Sequence, residues 1–182
     1  MIRIRRGYTN AVKMASDFAS AANVVGNTTA YATHNGIKAV GQAIFAEYGF
    51  DLSAVPANAL IDRIRFNVIA KANAAGRRTA RWIDVQHANG GGFNTTSTPG
   101  VPLQSTDTTA TIVLDRVADA ALWAQMQMTT AAVRDPATGW GVGFESTIAS
   151  TTLTSWQKFW LDVDYTLPAA GVPNLLFMNE LF

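Results

Sequence analysis

Cysteine is absent from the 182 residues. With it go disulfide scaffolds, thiol nucleophiles, iron–sulfur clusters and cysteine zinc ribbons. Charge is also scarce: Asp, Glu, Lys and Arg make up 15% of the chain, against about a quarter of an ordinary soluble domain. Combined with 48% hydrophobic residues, this predicts a surface that is partly covered by something else in the working state. The formal net charge is only +1, which argues against a general polyanion binder. No run of 18 apolar residues occurs, so no membrane-spanning helix is expected. The basic start, Met1-Ile-Arg-Ile-Arg-Arg6, is followed by a polar stretch rather than the apolar core of an export signal, so synthesis in a cytoplasm is expected.

What is present is alternation. Leu60, Ile64, Phe66, Val68 and Ala70 share one parity against Arg63, Arg65, Asn67 and Lys71, with Asp62 as the exception. Ala110, Ile112 and Leu114 alternate with Thr109 and Thr111. Trp140, Val142, Phe144 and Ile148 alternate with Gly141, Gly143, Glu145 and Thr147. Phe159, Leu161, Val163, Tyr165 and Leu167 oppose Lys158, Asp162 and Asp164. Val40, Ile44, Ala46, Tyr48, Phe50 and Leu52 form a fifth set, and residues 77–88 a sixth. Six strands with one wet face each, separated by Gly/Pro/Asn turns, predict an all-β antiparallel β-sandwich or jelly roll. Val117, Ala121, Leu122, Ala124 and Met128 are spaced three and four apart and predict one short helix over 119–127. Residues 10–24 fit either an Ala-rich helix or an irregular first strand.

Both ends differ from the middle. Arg3, Arg5, Arg6 and Lys13 come before any acid, which predicts a basic N-terminal arm over 1–23 ahead of a sandwich domain at 24–167. The tail at 168–182 ends on Leu175, Leu176, Phe177, Met178, Leu181 and Phe182. Burying all six would gain roughly 9–18 kcal/mol before ordering costs, so the tail is expected to dock, on a neighbouring chain in preference to its own domain. The arm and tail residues are the candidate partner-binding set.

Catalytic constellations do not assemble. His34 and His87 are the only histidines and neither has metal-ligand spacing. The nucleophile elbow Gly-x-Ser-x-Gly is missing, and Asn89-Gly-Gly-Gly-Phe93 is neither a phosphate loop nor a dinucleotide fingerprint. Asp162 and Asp164 share a wet strand face, where solubility and edge protection account for them. The basic set Arg63, Arg65, Lys71, Arg77, Arg78 and Arg81, near Trp82, is interleaved with Asp62 and Asp84, which argues against nucleic acid as a partner. No enzyme, metal or cofactor is expected. Trp160 lies on the polar parity of its strand, where it either stacks on a sugar ring or is covered by a loop, an arm or another subunit.

In order along the chain, several segments resemble a β-sandwich domain found in structural proteins of tailed bacteriophages. These are Ala30-Tyr-Ala-Thr33, Tyr48-Gly-Phe-Asp-Leu52, Pro56, Ala59-Leu-Ile-Asp-Arg-Ile-Arg-Phe-Asn-Val68, Leu122-Trp123, Trp140-Gly-Val-Gly-Phe-Glu145 and Trp160-Leu-Asp-Val-Asp-Tyr165. One departure is Arg63, where the family carries glycine, which predicts altered local geometry there. The resemblance covers roughly residues 24 to 167. It implies a non-enzymatic virion subunit, a capsid-decoration or neck, collar or tail accessory protein, located in the particle. Such a subunit would contact other virion proteins and copies of itself in a homo-oligomer. The alternative from another class is a carbohydrate-binding module using Trp160.

Overall fold

Side chains that alternate in and out along extended backbone leave one face of each strand apolar, and two such faces close on each other. The computed structural model describes residues 2–15, 19–86, 100–126, 128–136 and 138–168. Among them are nine strands: β1 (Ile2–Ala15), β2 (Ala32–Gly36), β3 (Ala43–Phe50), β4 (Leu60–Ala72), β5 (Arg78–Gln86), β6 (Val101–Pro102), β7 (Thr108–Asp115), β8 (Gly139–Ser146) and β9 (Thr152–Thr166). Two short helices, α1 (Ala120–Gln125) and α2 (Thr130–Arg134), lie between β7 and β8. The strands pair in the order β6-β5-β8-β3-β1-β9-β4-β7, with β2 also on β9, and every pairing is antiparallel. The chain is an all-β antiparallel sandwich. Its first sheet is built on β9 and β4, its second on β3 and β8.

The core lies between these sheets and is aromatic. Phe159 of β9 meets Phe50 and Tyr48 of β3 edge to face, at 4.8 and 5.6 Å between centroids, and Phe144 of β8 lies 4.4 Å from Trp156. Phe50 also meets Trp140 at 6.4 Å. All of these rings are at most 1% exposed. Edge-to-face packing favours the ring quadrupoles in addition to the area buried.

The expected basic arm is instead a sheet strand. Residues 2–8 of β1 pair with β9, Arg3 opposite Tyr165, Arg5 opposite Val163 and Arg6 opposite Asp162. Residues 9–15 then pair with β3, through two register shifts, so the irregular strand, not the helix, forms here. The crossing from one sheet to the other falls near Gly7, where an added Cβ would lie 2.7 Å from Leu52 Cδ2. An arm boundary at residue 23 therefore does not separate β1 from the sandwich. Alternating isoleucine and arginine fits an extended strand, and Asp162 of β9 supplies the countercharge of Arg6.

Four other expectations change. The helix expected over 119–127 forms as α1, a second short helix, α2, follows it, and Val117 lies outside both at 75% exposure. A bulge between Ile61 and Arg63 makes Ile61 the buried residue and leaves Leu60 exposed. That accounts for Asp62 as the exception to the alternation. Val40 and Ile148 fall outside β3 and β8 and are exposed. Asp162 and Asp164 are on a central strand, paired on both sides, so they protect no edge. A second bulge, between Val68 and Ile69 of β4, falls at Lys158 of β9, whose φ is 45°. It keeps both Trp156 and Phe159 in the core. The apolar tail with Leu175, Leu176, Phe177, Met178, Leu181 and Phe182 lies outside the described residues, as do His87 and Asn89–Phe93.

Candidate functional site

Two surfaces stand out: the outer face of the first sheet and one end of the sandwich. On the outer face, register sets the side chains in rows, because residues directly opposite in an antiparallel ladder share a face. One row runs Tyr8, Trp160, Asn67, Thr111 across β1, β9, β4 and β7. The next runs Arg6, Asp162, Arg65, Val113.

Asp162 ties the rows together. It accepts two bonds from Arg6, at 2.7 and 3.1 Å, one from Asn67 Nδ2 at 3.3 Å and one from Trp160 Nε1 at 3.3 Å. Thr111 completes the chain by donating to Asn67 Oδ1 at 2.8 Å. The Arg6 guanidinium lies 5.5 Å from the centre of the half-buried Trp160 ring, within cation–π range. Sequence reasoning offered a covering arm as one account of Trp160, and Arg6, assigned to that arm, covers part of it.

The other acids on this face are also paired. Asp164, 5% exposed, accepts from Arg65 at 2.6 to 2.9 Å. Burial pushes its carboxyl above the ordinary value, with Arg65 and then Arg63 opposing the shift. Asp115 is held down at about 2, first by the Ala118 backbone N–H and then by Arg63 and the Val117 N–H. Asp62 pairs with Arg116 at 3.4 Å and accepts from Thr166 at 2.6 Å. Beyond the Lys158 bulge, Asp107 accepts from the Tyr31 hydroxyl and from Gln157 and pairs with Lys71 at 3.3 Å. Lys71 also sits 4.5 Å over the Tyr31 ring. Hydrogen bonding to Tyr31, then Asp107, raises the Lys71 ammonium above its usual range.

The end of the sandwich is built differently. The β2–β3 and β8–β9 loops meet there, Gly41 N–H donating to Ser146 O at 2.9 Å and Ser146 N–H to Gln42 O at 2.8 Å. Beneath them Arg78 is fully buried. Its guanidinium donates to Ser146 Oγ and, at 3.3 Å, to the Gly36 carbonyl, while Ser146 Oγ donates to Ile148 O at 2.6 Å. Desolvation lowers the pKa of this guanidinium. One buried side chain thus fixes the residues just before Ile37 and Thr147. Above it, Ile37 and Val40 are each 65% exposed, Leu153 40% and Ile148 39%. This surface was missed because Val40 and Ile148 fit strand parity. The glycines at 36 and 41, bracketing Ile37 to Val40, were the available turn signal.

Among the described residues no group of three His, Cys, Asp or Glu side chains could hold a metal ion, and no helix is long and apolar enough to cross a membrane. His34 is buried on β2. No family model matches the chain, and no curated protein matches it. Among solved structures it is similar to a mutant family 29 carbohydrate-binding module complexed with mannohexaose. That match has a TM-score of 0.39 and 7% identity, over 89% of this chain and 92% of the other. A likeness at that level carries no argument about function.

Proposed function

We propose that the chain is a structural subunit of a phage particle that assembles with copies of itself through protein–protein contacts. The observation that carries the assembly half of this reading is the apolar end. Ile37, Val40 and Ile148 lie exposed on loops that backbone bonds and Arg78 already hold in place, and Leu153 is exposed at the start of β9. Exposed aliphatic side chains gathered at one end of a fold offer a contact surface. Covering each gains about 1 to 2 kcal/mol, and loops fixed beforehand lose little entropy on docking. The phage half rests on the resemblance. Its motif residues Tyr48, Phe50, Phe66, Trp140 and Phe144 are buried, so they support a shared sandwich and leave the surface to carry function.

The test is a pair of charges at this end. The variant Ile37→Asp with Val40→Asp is expected to keep the wild-type circular dichroism spectrum and to lose mass by light scattering. An unchanged mass would overturn the contact.

A second reading, glycan binding, is favoured by the Tyr8–Trp160–Asn67–Thr111 row. It sets two half-buried aromatic rings in line with the exposed Thr111, and aromatic faces of this kind stack on sugar rings. Added polysaccharide would shift tryptophan fluorescence in the wild type and not in Trp160→Ala. No shift with a panel of glucans, mannans and host-type glycans would remove this reading.

A further inference from the structure

Among the described residues the strand order ends in β6 and β7, with β2 set on β9 off that order, and these three strands are not alike. At one end of the strand order, β6 is two residues long and contains Pro102; short length and proline both blunt an edge. On β2, Thr33 exchanges backbone bonds with Ala19, at 2.9 and 3.1 Å. At the other end of the order, no second strand among the described residues lies on β7. It pairs only with β4, in unbroken register from Thr108 to Asp115. Among the described residues no backbone group outside β4 bonds to residues 109–114.

The sequence of β7, Thr-Thr-Ala-Thr-Ile-Val-Leu-Asp, has no proline, glycine or lysine and no bulge. Those are the devices that keep edges apart. It is rich in residues that favour strands and carries one charge. The two acids at its ends are already paired, Asp107 with Lys71 and Asp115 with Arg63.

We propose that β7 pairs antiparallel with β7 of a second copy, joining two first sheets across a two-fold axis. The occupant follows from the strand's own pattern. Thr109, Thr111 and Val113 are exposed on the outer face, and Ala110, Ile112 and Leu114 are buried on the core side. Opposite residues must share a face. An axis through Thr111 sets Thr111 opposite its own copy, Thr109 opposite Val113, Ala110 opposite Ile112 and Thr108 opposite Leu114, and brings Asp115, already paired with Arg63, opposite Asp107, already paired with Lys71. β-branched pairs on the outer side and aliphatic pairs on the core side are favourable cross-strand neighbours. An isologous contact of this kind closes as a dimer. It uses a surface separate from the apolar end and holds whether or not that end is covered.

The test separates the two contacts by working in the full chain carrying Ile37→Asp and Val40→Asp. This chain is expected to scatter light as a dimer. Adding Thr109→Lys with Val113→Lys sets two pairs of like charges face to face across the axis and is expected to give a monomer with an unchanged circular dichroism spectrum. Adding Thr109→Glu with Val113→Lys sets opposite charges face to face and is expected to restore the dimer. The proposal is overturned if the parent is a monomer, if the double lysine variant stays dimeric, or if the Glu/Lys variant is as monomeric as the Lys/Lys one.

Discussion

The outer face of the first sheet and the loop end of the sandwich put opposite chemistry on one domain. On the face, each of five carboxylates, at positions 62, 107, 115, 162 and 164, has a cation beside it. At the loop end, aliphatic side chains stand in water over a buried guanidinium. The face has used its polar groups to hold its own strands in register. At the end, Ile37, Val40, Ile148 and Leu153 are left exposed. Charge density therefore marks internal structure on this face, and the proposed contact lies where exposed aliphatic side chains flank a single lysine, Lys38.

The comparison is broken most severely beneath the loop end. Arg78→Ala removes a fully buried side chain and strands Ser146 and the Gly36 carbonyl. It is expected to cost roughly 3 to 5 kcal/mol in urea unfolding. A loss under about 1 kcal/mol would show that the two loops are held by their backbone bonds alone.

Next comes Arg65→Met on the face. It leaves the buried Asp164 without its main cation and is expected to cost about 2 kcal/mol at neutral pH, discounted because Arg65 is partly exposed. The sign of its pH dependence follows from burial. Asp164 already has a folded pKa above its unfolded value, so the folded state binds the proton more readily and the penalty shrinks as pH falls through the folded pKa. A loss independent of pH would mean that Asp164 is not the group left exposed to the penalty.

Asp115 gives a smaller effect of the other sign. Its folded pKa is depressed to about 2, so its contribution is complete above the unfolded value near 3.8. It is lost as pH falls through about 2. Asp115→Asn should flatten the acid limb of the unfolding midpoint relative to wild type. Smallest of all in stability is Ile37→Asp with Val40→Asp, expected within about 0.5 kcal/mol for exposed loop positions, although it removes the assembly contact.

Period was the dependable signal in the sequence. Ile64, Phe66 and Val68, and Leu161 and Val163, all lie inward as alternation requires. The same rule applied to Ile2-Arg-Ile-Arg5 would have found β1, but a cluster of like charge suggested an arm. Its countercharges, such as Asp162 for Arg6, lie 156 residues away. Pairings of that range are set by topology and leave no local trace. Asp162 and Asp164 were legible as neighbours on one face; their cations were not. The bulge at Asp62 showed as a break in alternation, whereas that at Lys158 did not, because the positive φ falls on a residue type that gives no turn signal. Arg78 was counted among surface charges, and nothing in its neighbours marks it as buried.

The most direct test of the account is the light-scattering mass of the wild-type chain beside the Ile37→Asp, Val40→Asp variant over a common concentration range. A wild-type oligomer larger than a dimer that falls to a dimer in the variant is the predicted result. Equal masses for the two chains would contradict the proposal that the aliphatic loop end of the sandwich is where this protein recruits its neighbours.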